Sequence, residues 1–291
     1  MYDVIIVGMG ISGITAGIYL KRANKDIMMF DGKMPGGLLN EISYISNYPG
    51  YINIAGSELA ENLFNQINVL NVPYRLESVK DINKVDDYFE VETSNGVYKA
   101  KNVIVACGRT PRKLGLPNED KLLGHGISTC ALCDGFFYRG KDIAVVGSGD
   151  SALQEALYLS NIVNKIYIIV RSNKMRASMS LQEAIKSKNN IEIIYESNIK
   201  EINEINGQVD SIVLSNDRLI DVNGVFIYIG FVPNNAIIEK FDILDENGYV
   251  KNIITDVKGL YAVGDIVKKD VNQLIVAAND GVLVANHIIN N

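Results

Sequence analysis

Asp3-Val4-Ile5-Ile6-Val7-Gly8-Met9-Gly10-Ile11-Ser12-Gly13 decides the fold, because its design returns at Asp142-Ile143-Ala144-Val145-Val146-Gly147-Ser148-Gly149-Asp150-Ser151-Ala152. Each copy is an apolar strand run, a glycine-rich turn and a helical stretch, the first reaching Ala23 and the second about Ser160. In such a turn the first glycine allows the tight bend. The second lets a pyrophosphate approach the backbone, and the third position, Gly or Ala, lets helix pack on strand. The pyrophosphate then faces the helix N-terminus, where free N–H groups and the macrodipole favour an anion. One copy alone is a weak signal. Two copies, each between a strand and a helix, point to two dinucleotide sites. The predicted fold class is therefore α/β, with two Rossmann-like dinucleotide-binding domains.

The second strand of each unit separates the ligands. Lys25-Asp26-Ile27-Met28-Met29-Phe30-Asp31 ends in an acid about 20 residues beyond the first turn, where a carboxylate binds adenosine ribose hydroxyls. Lys165-Ile166-Tyr167-Ile168-Ile169-Val170-Arg171 ends in Arg, which suits a 2′-phosphate better than a free diol. The first site reads as FAD or NAD and the second as NADP. Two further strand runs fit a flavoprotein: residues 102–106, ending at Cys107-Gly108, and residues 259–263, ending at Gly264-Asp265. A Gly-Asp at a strand's C-terminal end presents backbone and carboxylate to a ribityl chain. Cys107 reads as a small buried hydrophobe.

The order of these signals implies nesting. Gly264-Asp265 completes the site that opens at the N-terminus, and the second fingerprint lies between them. Pro and polar residues at 111–117 and 233–236 suit connectors. The expected division is an FAD-binding domain at 1–112 and 237–291, interrupted by an inserted pyridine-nucleotide-type domain at 113–236. Residues 191–221 and 70–100 read as short strands and turns.

Composition narrows the function. A chain of 291 residues suggests two domains. Its net charge of −6 gives no basic surplus for gripping phosphate backbones, so no nucleic acid is expected. With 47% hydrophobic and 21% charged residues it is core-forming. Its two histidines, His125 and His287, cannot build a multi-His metal site, and no metal is expected. Met1-Tyr2-Asp3 lacks a basic signal-peptide start, so a cytoplasmic protein is expected. Residues 4–20 are uncharged but hold four glycines and fall short of a membrane span, so no membrane partner is expected. The cysteines number three, two of them spaced as Cys130-Ala131-Leu132-Cys133. That spacing reads as redox chemistry or as half a zinc site. No second ligand pair exists for zinc, which favours a reversible disulfide.

Together these motifs identify a resemblance to the low-molecular-weight thioredoxin reductases over nearly the whole chain. The family's Cys-Ala-Thr-Cys-Asp-Gly stands here as Cys130-Ala131-Leu132-Cys133-Asp134-Gly135, followed by Phe136-Phe137-Tyr138. Met34-Pro35-Gly36-Gly37, Asn47-Tyr48-Pro49-Gly50, Gly108-Arg109-Thr110-Pro111-Arg112, Asp150-Ser151-Ala152 and Gly264-Asp265 also match. The resemblance implies a homodimeric FAD enzyme that passes electrons from a reductant, NADPH first, to the Cys130-Cys133 disulfide and then to thioredoxin. It implies Cys133 as the flavin-proximal sulfur and Cys130 as the one that attacks thioredoxin. It also implies rotation of the inserted domain about its connectors. Asp134 would protonate a leaving thiolate; the alternative is that it caps a helix N-terminus. His125, close by in sequence, reads as a loop residue. The FAD residues implied are Gly8, Gly10, Gly13, Asp31, Gly36, Gly37, Leu38, Asn47, Gly264, Asp265, Gln273 and Leu274. Those for NADPH are Gly147, Gly149, Asp150, Ser151, Arg171 and Arg176.

The departures fall on the donor side. The family's His-Arg-Arg-x-x-x-Arg stands as Val170-Arg171-Ser172-Asn173-Lys174-Met175-Arg176. A Ser, with one donor and no charge, does not replace a bidentate Arg. The first Glu after Ser-Ala is Gln154, leaving Glu155. Leu38 stands where the family has Gln, and Asn272 where it has Arg. NADH, or a protein donor such as ferredoxin, is therefore the second reading of the electron source. A flavin-binding redox sensor without turnover is the competing class. Ferredoxin–NADP reductases of this fold lack the CxxC. Peroxide-linked relatives carry an extra N-terminal thioredoxin-like region, whereas this chain begins at the first dinucleotide strand.

Overall fold

The computed structural model describes residues 1–291 except 43, 44 and 46, with all side chains but those of residues 41, 132 and 133. The chain divides into two compact units, Met1–Thr110 with Val232–Asn291, and Pro111–Phe231. The prolines and polar residues alone place these limits at 112/113 and 236/237.

The first part of unit 1 runs β1 (Tyr2–Val7), α1 (Ile11–Arg22), β2 (Ile27–Phe30), α2 (Gly56–Val69), β3 (Tyr74–Arg75), β4 (Val79–Val85), β5 (Tyr88–Thr93), β6 (Val97–Val105) and the connector β7 (Arg109–Pro111). Unit 2 contributes α3 (Glu119–Leu122), β8 (Ile127–Ser128), α4 (Ala131–Asp134), β9 (Asp142–Val146), α5 (Asp150–Leu159), β10 (Lys165–Ile169) and α6 (Met179–Lys186). It continues through β11 (Ile191–Ile194), β12 (Ile199–Ile205), β13 (Gln208–Leu214), β14 (Leu219–Asp221) and β15 (Gly224–Ile227). The second connector, β16 (Phe231–Pro233), leads back to β17 (Leu260–Ala262) and α7 (Leu274–Asn290). The connectors β7 and β16 pair with each other.

In unit 1 the strand order is β3-β2-β1-β6-β5-β4, with β17 also on β6. β6 changes role along its nine residues. Its first half pairs antiparallel with β5, Val97 opposite Glu92. Its second half runs parallel to β1, Val105 beside Val7, and to β17. The parallel strands are continuous apolar runs because both faces are covered. Val4, Ile6 and Met29 pack into one cluster with Ile14 and Ala16 of α1 and Val284 of α7. Ile5, Val7 and Phe30 face the other way, against Ile82, Phe89 and Val91 of the antiparallel strands. Helix α1 ends with Lys21 and Arg22 in its last turn, cations that suit the dipole, and Asn24 then turns left-handed at φ 56°.

Unit 2 repeats the plan with a parallel sheet of order β11-β10-β9-β15-β8. Ile143, Val145 and Ile166 pack with Ala152, Leu153 and Ala156 of α5. Ala144 and Val146 pack on the other face with Ile202, Ile212 and Leu214 of the antiparallel β12-β13-β14 sheet. No described helix is long and apolar enough to cross a membrane.

Candidate active site

The two glycine turns are built alike. Gly8 N–H donates to Phe30 O at 2.8 Å, and Gly147 N–H donates to Ile169 O at 3.1 Å. Each turn is thus tied to the neighbouring strand's end. Gly8 has φ +106° and Gly147 φ +146°, and a Cβ at either would overlap a backbone carbonyl, that of Ala106 or of Tyr228. At Gly13 a Cβ would overlap the Gly8 carbonyl oxygen. Gly10 and Gly149 differ: each is the cap residue of its helix, in extended backbone, and a Cβ would meet nothing within 4 Å. Neither α1 nor α5 receives a side-chain cap bond. Open space in front of uncapped helix N–H groups is what a pyrophosphate needs.

The remaining predicted residues of unit 1 gather round the first turn. Asp31 follows β2; its Oδ2 accepts from Met9 N–H at 2.6 Å and its Oδ1 from Lys33 N–H at 2.9 Å. Gly36 N–H donates to Met9 O at 2.7 Å, and a Cβ on Gly37 would lie 3.5 Å from Gly10 Cα. Leu38 lies in the short 3-10 helix Gly37–Glu41 that follows. Asn47 Nδ2 donates to Gln273 Oε1 at 3.0 Å, bringing two residues 226 apart in sequence together at the start of α7, where Leu274 is the first helical residue. Gly264, in a 3-10 turn after β17, lies against Ser12 in the first turn of α1. Asp265 Oδ2 pairs with Arg109 Nε at 3.1 Å. Cys107 donates weakly to Val7 O at 3.6 Å; burial, then the Asp31 charge, push its thiol up to about 12.

In unit 2 the loop after β10 folds back over the second turn. Arg176 and Ala177 N–H both donate to Ser148 O, at 2.8 and 2.9 Å, and Ser178 N–H donates to Asp150 Oδ1 at 2.7 Å. Ser151 is exposed in the first turn of α5. Arg171 and Arg176 are exposed. Ser172 Oγ donates to Lys174 O at 2.7 Å, so its single proton serves the loop itself. One neighbour escapes a motif reading. Glu196, with φ 51°, donates its backbone N–H to Ser172 O at 3.2 Å, delivering an exposed acid to this loop.

Cys130 is disulfide-bonded. The side chain of Cys133 lies outside the described residues. Cys130 N–H donates to the buried Ser128 Oγ at 3.0 Å, and Asp134 N–H donates to Cys130 O at 3.1 Å. Ala131 N–H donates to Tyr228 Oη at 2.7 Å. Burial, then the Glu155 charge, push the Tyr228 hydroxyl well above the ordinary tyrosine range. Tyr228 is a second residue the motifs do not reveal, since it reaches α4 from 97 positions away. Asp134 is the N-cap residue of the 3-10 turn Gly135–Tyr138. It closes α4 rather than opening it, and no side-chain cap bond joins it to the turn that follows. His125 is a loop residue, its Nδ1 3.2 Å from Gln208 Nε2.

Known proteins match this chain over nearly its whole length. The profile for the pyridine nucleotide-disulphide oxidoreductases matches residues 2–281. The thioredoxin reductase of Bacillus subtilis is 36% identical, over 99% of this chain and 94% of that protein. The solved thioredoxin reductase of Lactococcus lactis is 33% identical with a TM-score of 0.84, covering 100% of this chain and 98% of that one. A structure described as a ferredoxin-flavin thioredoxin reductase from Clostridium acetobutylicum is 28% identical with a TM-score of 0.55, covering 99% and 97%. The chain belongs to the pyridine nucleotide-disulphide oxidoreductase family and, within it, to the thioredoxin reductases.

Proposed function

We propose that this enzyme reduces the disulfide of a thioredoxin through Cys130 and Cys133, with FAD on the first glycine cradle and NADPH on the second. The observation that carries the reading is a disulfide-bonded Cys130 at the head of α4, in a chain that also places an open glycine turn before each of α1 and α5. Gly8, Gly10 and Gly13 would receive the FAD pyrophosphate, and Asp31 the adenosine ribose. Gly36, Gly37, Leu38, Asn47, Gly264, Asp265, Gln273 and Leu274 would line the rest of the cofactor. Gly147, Gly149, Asp150, Ser151, Arg171 and Arg176 would hold NADPH. Bound FAD supplies a two-electron carrier between a pyridine nucleotide and a disulfide.

The chain's own residues do the sulfur chemistry. In the dithiol form, the Cys130 thiolate attacks one sulfur of the partner's disulfide. A mixed disulfide forms and one partner thiolate leaves. Cys133 then attacks Cys130 Sγ, closing the Cys130–Cys133 bond and releasing the second partner thiolate. Two electrons pass from the pair to the partner, and each departing thiolate takes a proton. Asp134, beside Cys133 in sequence, supplies a proton to a leaving thiolate. Tyr228 Oη holds the Ala131 N–H and fixes the first turn of α4. Cys130→Ser and Cys133→Ser should each abolish steady-state thioredoxin reduction and leave flavin absorbance intact. Substantial turnover in either variant would overturn the relay, and absence of turnover in the wild type would favour the sensor.

A second reading of the donor has a specific observation behind it. Ser172 replaces an arginine and spends its proton on Lys174 O, while Glu196 brings an acid to the same loop. Both disfavour a 2′-phosphate, so NADH or reduced ferredoxin is the alternative electron source. We further infer a homodimer. Ile52, 98% exposed, lies in the loop closed by the Ile45–Ile54 bridge, and Ile275 and Leu283 are exposed on α7, against whose first turns that loop packs. Sedimentation at micromolar concentration tests this. A dithiol kept available for turnover fits the reducing cytoplasm.

A further inference from the structure

Three elements of unit 1 converge on one carboxylate that no glycine or cysteine motif marks. Asp280, on the inner face of α7, accepts the Gly264 N–H at 2.9 Å through Oδ2. The same oxygen takes the ammonium of Lys269, from the loop between Gly264 and α7. Both side chains are nearly sealed, at 9% exposure for Lys269 and 8% for Asp280. The next residue, Gly281, sits so close to α1 that a Cβ would overlap the Ser12 carbonyl oxygen. A Cβ on Gly264 would overlap Ser12 Oγ. Asp280 therefore holds the Gly264-Asp265 turn, which itself lies against Ser12 in the first turn of α1.

We propose that Asp280 is a positioning residue for FAD, with Lys269 as its counter-ion; this rests on the assignment of the Gly8–Gly13 cradle and the Gly264-Asp265 turn to that cofactor. The acceptor on Asp280 holds the turn in place. The ammonium on Lys269 keeps the carboxylate from standing as a bare anion in the same unit as the pyrophosphate cradle. A merely structural ion pair predicts something different, because replacing both charges with neutral side chains is often close to neutral for stability. The role proposed here requires the hydrogen bond to Gly264 as well.

The test uses paired variants of the full chain. Lys269→Met with Asp280→Asn removes both charges and keeps an oxygen for Gly264 N–H. Lys269→Met with Asp280→Leu, or with Asp280→Ala where the leucine pair does not fold, removes the acceptor. Apoprotein melting and the FAD dissociation constant, read by flavin fluorescence, are measured on each. The asparagine pair is expected to bind FAD close to wild type. The acceptor-free pair is expected to bind about tenfold more weakly, from one unsatisfied buried N–H. A shifted visible flavin circular dichroism spectrum should accompany the loss. Equal FAD affinity in the two pairs overturns the proposal. Gly10→Val is the control: if it keeps full flavin occupancy, the cofactor assignment itself fails. If it loses flavin while the pairs match, only the role of Asp280 fails.

Discussion

Gly10 and Gly13 share one turn yet answer to different constraints. At Gly13 a side chain collides with the protein's own backbone, so Gly13→Val should prevent folding. At Gly10 the backbone is extended, at φ −74°, and a side chain meets nothing. Gly10→Val should therefore fold and melt like apoprotein, yet purify colourless, because valine fills the pyrophosphate's place. A yellow Gly10→Val protein would contradict the cradle. Spacing alone names both glycines but cannot separate them, since the difference lies in what the rest of the fold brings near. Tyr228 is illegible for the same reason, its partner Ala131 lying 97 positions away, and Asp280 because no local motif marks the fold-back that brings Gly264 and Lys269 to it. Glu155 carries a pH consequence. Burial raises its carboxyl above the usual range, so the folded protein holds this proton more tightly than the unfolded chain. Below the unfolded value of about 4.3 both states are protonated and the group costs nothing. As pH rises through the window up to the folded value, stability is lost, and the cost persists above it. Glu155→Gln should match wild type in urea unfolding at pH 4 and exceed it at pH 7. Equal differences at the two pH values would contradict the sign.

At the scale of elements, β1, β9, α1 and α5 were legible because their apolar runs and glycine turns are local signals. β3, β7 and β16, of two or three residues each, owe their strand form to the neighbours they pair with, whereas β17, equally short, falls inside the apolar run 259–263 that marks it in the sequence. The dual pairing of β6 was likewise hidden, since one apolar run serves both an antiparallel and a parallel partner. The loop after β10 sits between these cases. Its Arg171 and Arg176 are visible in sequence, but Glu196 joins only through the parallel pairing of β10 with β11. The expected outcome is weak NADPH binding with little preference over NADH. A charge-assisted hydrogen bond contributes on the order of 1.5–3 kcal/mol, so Ser172→Arg should tighten NADPH roughly tenfold to a hundredfold. Glu196→Gln should tighten it less, by removing an exposed like charge. Titrations of flavin bleaching under anaerobic conditions measure both. Wild-type affinity already at low micromolar levels would mean that Arg171 and Arg176 suffice.

Taken whole, the molecule carries one open glycine turn in each of its two units and a disulfide-bonded Cys130, and under the proposed function only the second turn's use depends on the donor. That makes the donor separable by mutation. Gly149, like Gly10, has open space before it, so Gly149→Val should fold and keep its flavin. If a pyridine nucleotide is the electron source, this variant loses NADPH-driven thioredoxin reduction by at least about a hundredfold, the loss expected when the backbone can no longer approach the pyrophosphate. Dithionite bypasses the second cradle, so thioredoxin reduction driven by it should remain at the wild-type rate. The pair of measurements assigns each defect to one unit. Loss of both activities would mean that Gly149→Val damages the dithiol carried by the same unit. An unchanged rate with reduced ferredoxin, beside negligible wild-type turnover with NADPH or NADH at millimolar concentration, would make the second cradle a retained scaffold. A protein donor would then be the electron source.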